Sequence, residues 1–150
     1  MSVRVQSEDF DLAAEIDALT KGNHGIGGIA SFMGVVRDMA GERPIQAMTL
    51  EHYPGMTEKK LAEIEAEARR RWPLEASLII HRHGRLEPGD RIVLVVTCAK
   101  SRGPALAACE FLIDWLKTEA PFWKLEETGD GEQWVDARES DEAAAKKWAE

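Results

Sequence analysis

The chain has 150 residues, 44% of them apolar and 31% charged, and carries a net charge of −8 from 27 acidic and 19 basic side chains. That length suits one domain, read as residues 1–150, and lets folding bury roughly two thirds of the surface an unfolded chain exposes. The composition excludes a disordered chain, and the acidic balance excludes the broad basic footprint of a nucleic-acid binder.

In chain order, residues 3–6 read as a short strand and 8–19 as a helix capped by Ser7, with Phe10, Ala13, Ile16 and Leu19 on one face. Gly22, Gly25, Gly27 and Gly28 punctuate the loop that follows. It lacks the terminal Lys-Ser/Thr of a phosphate loop and the dinucleotide fingerprint, so its glycines are read as structural. Residues 29–36 are apolar and β-rich enough for a central strand ended by Arg37. A polar loop at 38–44 leads to an alternating strand at 45–52, expected to pair with 29–36 like a hairpin, before a Tyr53-Pro54-Gly55 turn.

From 57 to 72, Leu61, Ile64, Ala68 and Trp72 mark one helix face, while Arg69, Arg70 and Arg71 suit its negative C-terminal end. Residues 76–82 and 91–99 read as strands joined through Pro88-Gly89-Asp90, and the run from Ile92 to Val96 calls for burial on both faces. Pro104 opens a helix to about Thr118 with Ala105, Ala108, Leu112 and Leu116 inward. Residues 122–127 and 133–136 form an expected hairpin, and 141–148 a terminal helix. Strands in runs and strands separated by helices together predict an α+β domain with one mixed or antiparallel sheet and flanking helices.

The sparse cysteines, Cys98 and Cys109, fall on a buried strand and a helix and read as reduced core thiols. The N-terminus lacks a basic segment followed by an apolar run, and no stretch approaches the ~18 apolar residues of a membrane span. A cytoplasmic location and no membrane association are therefore expected. His81 and His83 share a strand face, but no third ligand is specified nearby, so no metal is expected. His24 and His52 are read as packing or surface residues, and no GxSxG elbow is present.

Two basic clusters stand out on the acidic background. At Lys100-Ser101-Arg102-Gly103-Pro104 a helix start offers free N–H groups and two cations, an anion site unless Ser101 merely caps the helix and the cations are solvated. Lys117 and Lys124 bracket the point where a helix stops and an aromatic strand begins, so two ammonium groups can face one cleft. By spacing alone, two ordinary surface lysines fit as well. A partly buried amine, or one beside another cation, has a lowered pKa and becomes available for acid/base or nucleophilic work.

The segment Leu50-Glu51-His52-Tyr53-Pro54-Gly55-Met56-Thr57-Glu58-Lys59 resembles the large, catalytic subunit of molybdopterin synthase. The resemblance continues at Asp114-Trp115-Leu116-Lys117-Thr118-Glu119-Ala120-Pro121-Phe122-Trp123-Lys124, at Phe32-Met33-Gly34-Val35-Val36-Arg37 and at Trp134-Val135-Asp136-Ala137-Arg138-Glu139-Ser140. It implies an α/β-hammerhead type of fold, a homodimer of this subunit, and a small ubiquitin-like sulfur-carrier subunit at each end, a heterotetramer overall. The implied sulfurtransferase reaction moves sulfur twice from the carrier's C-terminal Gly-Gly thiocarboxylate to cyclic pyranopterin monophosphate, forming the dithiolene of molybdopterin in molybdenum cofactor biosynthesis. No cofactor is implied.

By the same resemblance Lys117 is the principal catalytic residue, as proton donor/acceptor or as nucleophile, and Lys124 assists it. Phe32, Val35, Val36, Arg37, Ser101, Arg102, Leu125 and Glu126 join the two lysines in binding substrate, and Arg138 comes from the neighbouring subunit. Both substrates are anions that must be held together, which gives the scattered cations a shared purpose. One departure stands out: the family commonly has a histidine before the arginine at the helix entrance, where this chain has Ser101. A hydroxyl still hydrogen-bonds to phosphate. Two other readings compete, a carrier-binding adaptor without turnover and an acyl or thioester hydrolase using His52 and a water, the latter leaving the lysine pair unexplained.

Overall fold

The computed structural model describes residues 2–40, 42–129, 131–135 and 139–149. Its elements are β1 (Ser2–Gln6), α1 (Leu12–Thr20), β2 (Gly28–Val35), β3 (Met39–Ala40), β4 (Arg43–His52), α2 (Met56–Arg71), β5 (Leu74–Arg82), β6 (Gly84–Leu86), β7 (Arg91–Ala99), α3 (Arg102–Glu119), β8 (Phe122–Thr128), β9 (Gly131–Val135) and α4 (Glu139–Lys146). The α+β class is as expected, but the strands form two sheets rather than one. The first has the order β1-β5-β7-β2, and the second the order β3-β4-β8-β9, with β6 also on β4.

The first sheet is the middle of three layers. Along β7, Val93 and Val95 face α2 and α3 with Leu61, Ile64, Ala105, Leu112 and Leu116, whereas Leu94, Val96 and Cys98 face Phe10 and α1. This burial on both faces is the reason for the uninterrupted apolar run. Cys98 and Cys109 are free and lie in the clusters on opposite faces of the sheet.

Several local expectations change. Helix α1 starts at Leu12, capped by Asp11, whose carboxylate accepts from the Ala14 N–H at 3.1 Å. The Ser7 carbonyl instead accepts from Arg82 at 3.0 and 3.1 Å and the Phe10 carbonyl from Arg91 at 2.7 Å, so sheet arginines satisfy the groups an earlier helix start would use. Leu12, not Ala13, packs into the core with Ile16 and Leu19. The loop at 38–44 contains β3 and the start of β4.

Strand β2 is an edge strand, not a central one, and it does not pair with β4. It pairs antiparallel with β7, which needs partners on both sides, while β4 pairs with β8. Its end is tied to the 88–90 turn, where the Val36 N–H donates to Asp90 O and the Gly89 N–H to Val36 O. The apolar side chains that argued for a central strand are open to solvent instead: Ile29, Phe32, Met33 and Val35 are all exposed.

Helix α2 begins after Gly55, whose N–H donates to the Glu58 carboxylate at 3.0 Å. Of its terminal arginines, Arg70 and Arg71 pair with Glu67, and Arg71 also lies over the Phe111 and Trp115 rings of α3. Trp148 closes the same aromatic cluster against Trp72 and Phe111, its indole N–H donating to Asp114 at 2.7 Å. Helix α3 runs alongside β2 from Arg102, beside Gly28, to Lys117, near the strand's end.

Candidate functional site

At the far end of β2 and α3, residues from both sheets and from α3 line a cavity of about 200 Å³. Four ionic groups line it: Arg37 just after β2, Lys117 in the last turn of α3, and Lys124 and Glu126 on β8. Strand alternation puts Lys124 and Glu126 on the same face of β8. Val35, Val36, Met39, Ile45, Met48 and Ile92 form the apolar wall. Glu126 is buried at 4% exposure, so the lining holds three cations and one enclosed carboxylate and is net positive on a chain of charge −8. An apolar wall strengthens such a field, and a net positive lining of this kind favours small anions over cations.

Of the residues singled out from the sequence, Val35, Val36, Arg37, Lys117, Lys124 and Glu126 meet here. Leu125 does not line the cavity: it alternates to the opposite face of β8, paired with Thr49 and Trp134. Phe32 lies along β2, exposed, with its ring 3.6 Å from where a Gly34 Cβ would sit. Ser101 and Arg102 are also elsewhere. They begin α3, fifteen residues before Lys117 and so about 22 Å away along the axis. Ser101 occupies the N-cap position but makes no side-chain capping bond. Arg138 lies outside the described residues.

Sequence reading missed Met39, Ile45, Met48 and Ile92, because only the pairing of β4 with β8 shows which face of each strand the cavity takes. It also missed what lies behind the lysines. Phe122, on the Lys124 face of β8, stacks on His81 of β5 with ring centroids 3.7 Å apart and 19° between planes. His52 and His83 pack together at 4.4 Å, and His52 is 6.2 Å from Phe122. Among the described residues, no His/Cys/Asp/Glu group of three or more could hold a metal ion. His52 packs in this cluster and is not among the residues lining the cavity, so the cavity offers the hydrolase reading no histidine base.

Burial pushes the His81 imidazole down to about 3, with the Lys117 ammonium and the other two imidazoles acting in the same direction and the Arg82 carbonyl bond opposing them. Unfolded histidine titrates near 6.5, so between the two values the unfolded chain binds the extra proton. The stability contributed by uncharged His81 is complete above pH 6.5 and lost as pH falls towards 3. From this residue, urea denaturation at pH 5 is expected to give a stability about 2 kcal/mol lower than at pH 7. The difference should shrink in a His81→Phe variant.

The family described as MoaE protein matches residues 5–119. A molybdopterin synthase catalytic subunit from Ralstonia nicotianae is 55% identical over 147 residues, covering 98% of this chain and 84% of that protein. One from Pseudomonas aeruginosa is 52% identical over 150 residues and the full length of both. Among solved structures, a molybdopterin biosynthesis MoaE protein from Burkholderia ambifaria superposes with a TM-score of 0.85 at 56% identity, covering 99% of this chain and 98% of that one.

Proposed function

Because the chain belongs to the MoaE protein family, we propose that it is the catalytic subunit of a molybdopterin synthase. It transfers sulfur from the C-terminal thiocarboxylate of a small ubiquitin-like carrier to cyclic pyranopterin monophosphate, releasing the carrier carboxylate. Two transfers build the dithiolene, and the cyclic phosphate opens. The observation that carries this reading is the convergence of Arg37, Lys117 and Lys124 on one cavity of net positive lining. Arg37 holds the substrate phosphate, Lys117 serves the sulfur-transfer step, Lys124 steadies the incoming thiocarboxylate, and Glu126 holds the ammonium groups in place.

The site is completed by a second copy of the chain. A cavity of about 200 Å³ is smaller than the roughly 300–1,000 Å³ usual for small-molecule sites, and Arg102 cannot reach it from the other end of α3. Strand β2 offers an open edge with exposed Ile29, Phe32, Met33 and Val35. Antiparallel pairing of that edge across a two-fold axis carries the Arg102 end of one copy to the Lys117 end of the other. Ser101 then offers its hydroxyl to the phosphate in place of the family's histidine. Two such sites, each with a carrier, make the heterotetramer.

Mixing separately inactive Lys117→Ala and Arg102→Ala proteins tests this arrangement. Heterodimers regain one intact site, and activity on the order of a quarter of the parental value is expected. No recovery after confirmed subunit exchange would place Arg102 and Lys117 in the same chain's site. For the function itself, the chain is mixed with thiocarboxylated carrier and cyclic pyranopterin monophosphate, and dithiolene product and carrier carboxylate are followed by mass spectrometry. Carrier binding without product would replace the synthase reading with that of an adaptor. The reading includes a cytoplasmic reaction, in keeping with two free buried thiols; among the described residues no helix is long and apolar enough to cross a membrane.

A further inference from the structure

We propose that His81 is a positioning residue for the two cavity lysines, acting through the face-to-face stack of its imidazole on Phe122. The inference rests on the synthase reading and concerns how the site is held. Lys117 and Lys124 lie on one short stretch of chain: the last turn of α3, a tight bend in which the Phe122 N–H donates to Ala120 O at 2.9 Å, and the first residues of β8. Phe122 follows that bend, two residues before Lys124 and on its face of the strand. Its ring meets His81 on β5, next to β7 in the first sheet, so the stack fastens the lysine-bearing stretch across the two sheets.

His81 is itself oriented. Its Nδ1 lies 2.8 Å from the Arg82 carbonyl oxygen, which can only accept, so Nδ1 carries the proton and the ring plane is set. At 5% exposure it has little freedom to turn. The cluster is more polar than packing requires. His52, packed on His83, has a buried Nδ1 without a hydrogen-bond partner among the described residues, a costly group where a leucine would fill the space. The groups facing His81 are the Lys117 ammonium from α3, His52 from β4, and His83 beyond the end of β5. A buried imidazole that stays uncharged adds no positive charge to this neighbourhood, where the Lys117 ammonium already acts on it.

The test compares His81→Ala, which removes the stack, with His81→Phe, which restores a flat ring without nitrogens. Each is assayed in the reconstituted carrier-dependent reaction against the parent. His81→Ala is expected to lower kcat at least tenfold with carrier affinity unchanged, and His81→Phe to recover kcat to within a few-fold. The Phe variant should also show a shifted pH profile, because a polar imidazole that interacts electrostatically with Lys117 has been replaced by an apolar ring. Parental kcat in His81→Ala, or equal loss in both variants, overturns the proposal. Should His81→Ala fail to fold, Phe122→Leu decides: a tenfold loss of kcat supports the stack, and a parental kcat removes it. An inactive parent would instead count against the synthase reading.

Discussion

Replacing Lys117 with alanine is expected to lower the rate of dithiolene formation by about 10²–10³-fold, the range seen when one group that stabilises or serves a transition state is removed. The side chain is exposed in the last turn of α3, where a cation complements the helix dipole. Its loss should therefore change stability by only about 0.5 kcal/mol. A large loss of activity in a protein that melts like the parent and still binds its carrier isolates chemistry from folding. Lys117→Arg divides the possible roles further. A guanidinium keeps the charge but does not give up its proton, so it preserves anion binding and abolishes acid/base or nucleophilic action. Recovery of most activity by arginine would assign Lys117 to charge alone. Parental activity in Lys117→Ala, measured as product by mass spectrometry, would remove it from the mechanism.

The second large effect falls on stability, at Gly27. A Cβ there would lie 2.0 Å from the Lys100 carbonyl oxygen and 3.0 Å from its carbon, both backbone atoms at the entry to α3. Gly27 is also held in place, since its N–H donates to Ala99 O at 2.9 Å. No rotamer change relieves such a contact; the loop or the start of α3 must move. Gly27→Ala is expected to cost at least about 3 kcal/mol, or a fall in Tm of roughly 6–12 °C for a chain of this length. Gly103→Ala is the control. No atom lies within 4 Å of its added methyl, and in the first turn of a helix alanine should be neutral or favourable by up to about 1 kcal/mol. A Gly27→Ala melt within 2 °C of the parent would show that this loop is not the constraint described.

Much of this molecule was legible before folding, because periodicity reports burial directly. The stripe of Ala105, Ala108, Leu112 and Leu116 placed α3 against a sheet, and the run from Ile92 to Val96 required cover on both faces of β7, as found. The two basic clusters were equally visible, and so was the family, through long motifs around Tyr53 and Lys117.

The sequence by itself thus determined the helices and the longer strands, the core faces of α2, α3 and β7, the acidic background with its few basic clusters, and the membership of a family. Only the tertiary structure decided which residues share a cavity, since that depends on strand partners chosen by non-local pairing. Pairing β7 with both β5 and β2 left β2 at an edge, and pairing β4 with β8 turned Lys124 and Glu126 inward and Leu125 out. The length of α3, set by a simple 1.5 Å rise per residue, separated Arg102 from Lys117 within one chain, two cations that the resemblance had assigned to one pocket. Lys117 and Lys124 were legible as a pair; the His81–Phe122 stack behind them was not, because residues 41 positions apart meet only when the two sheets do.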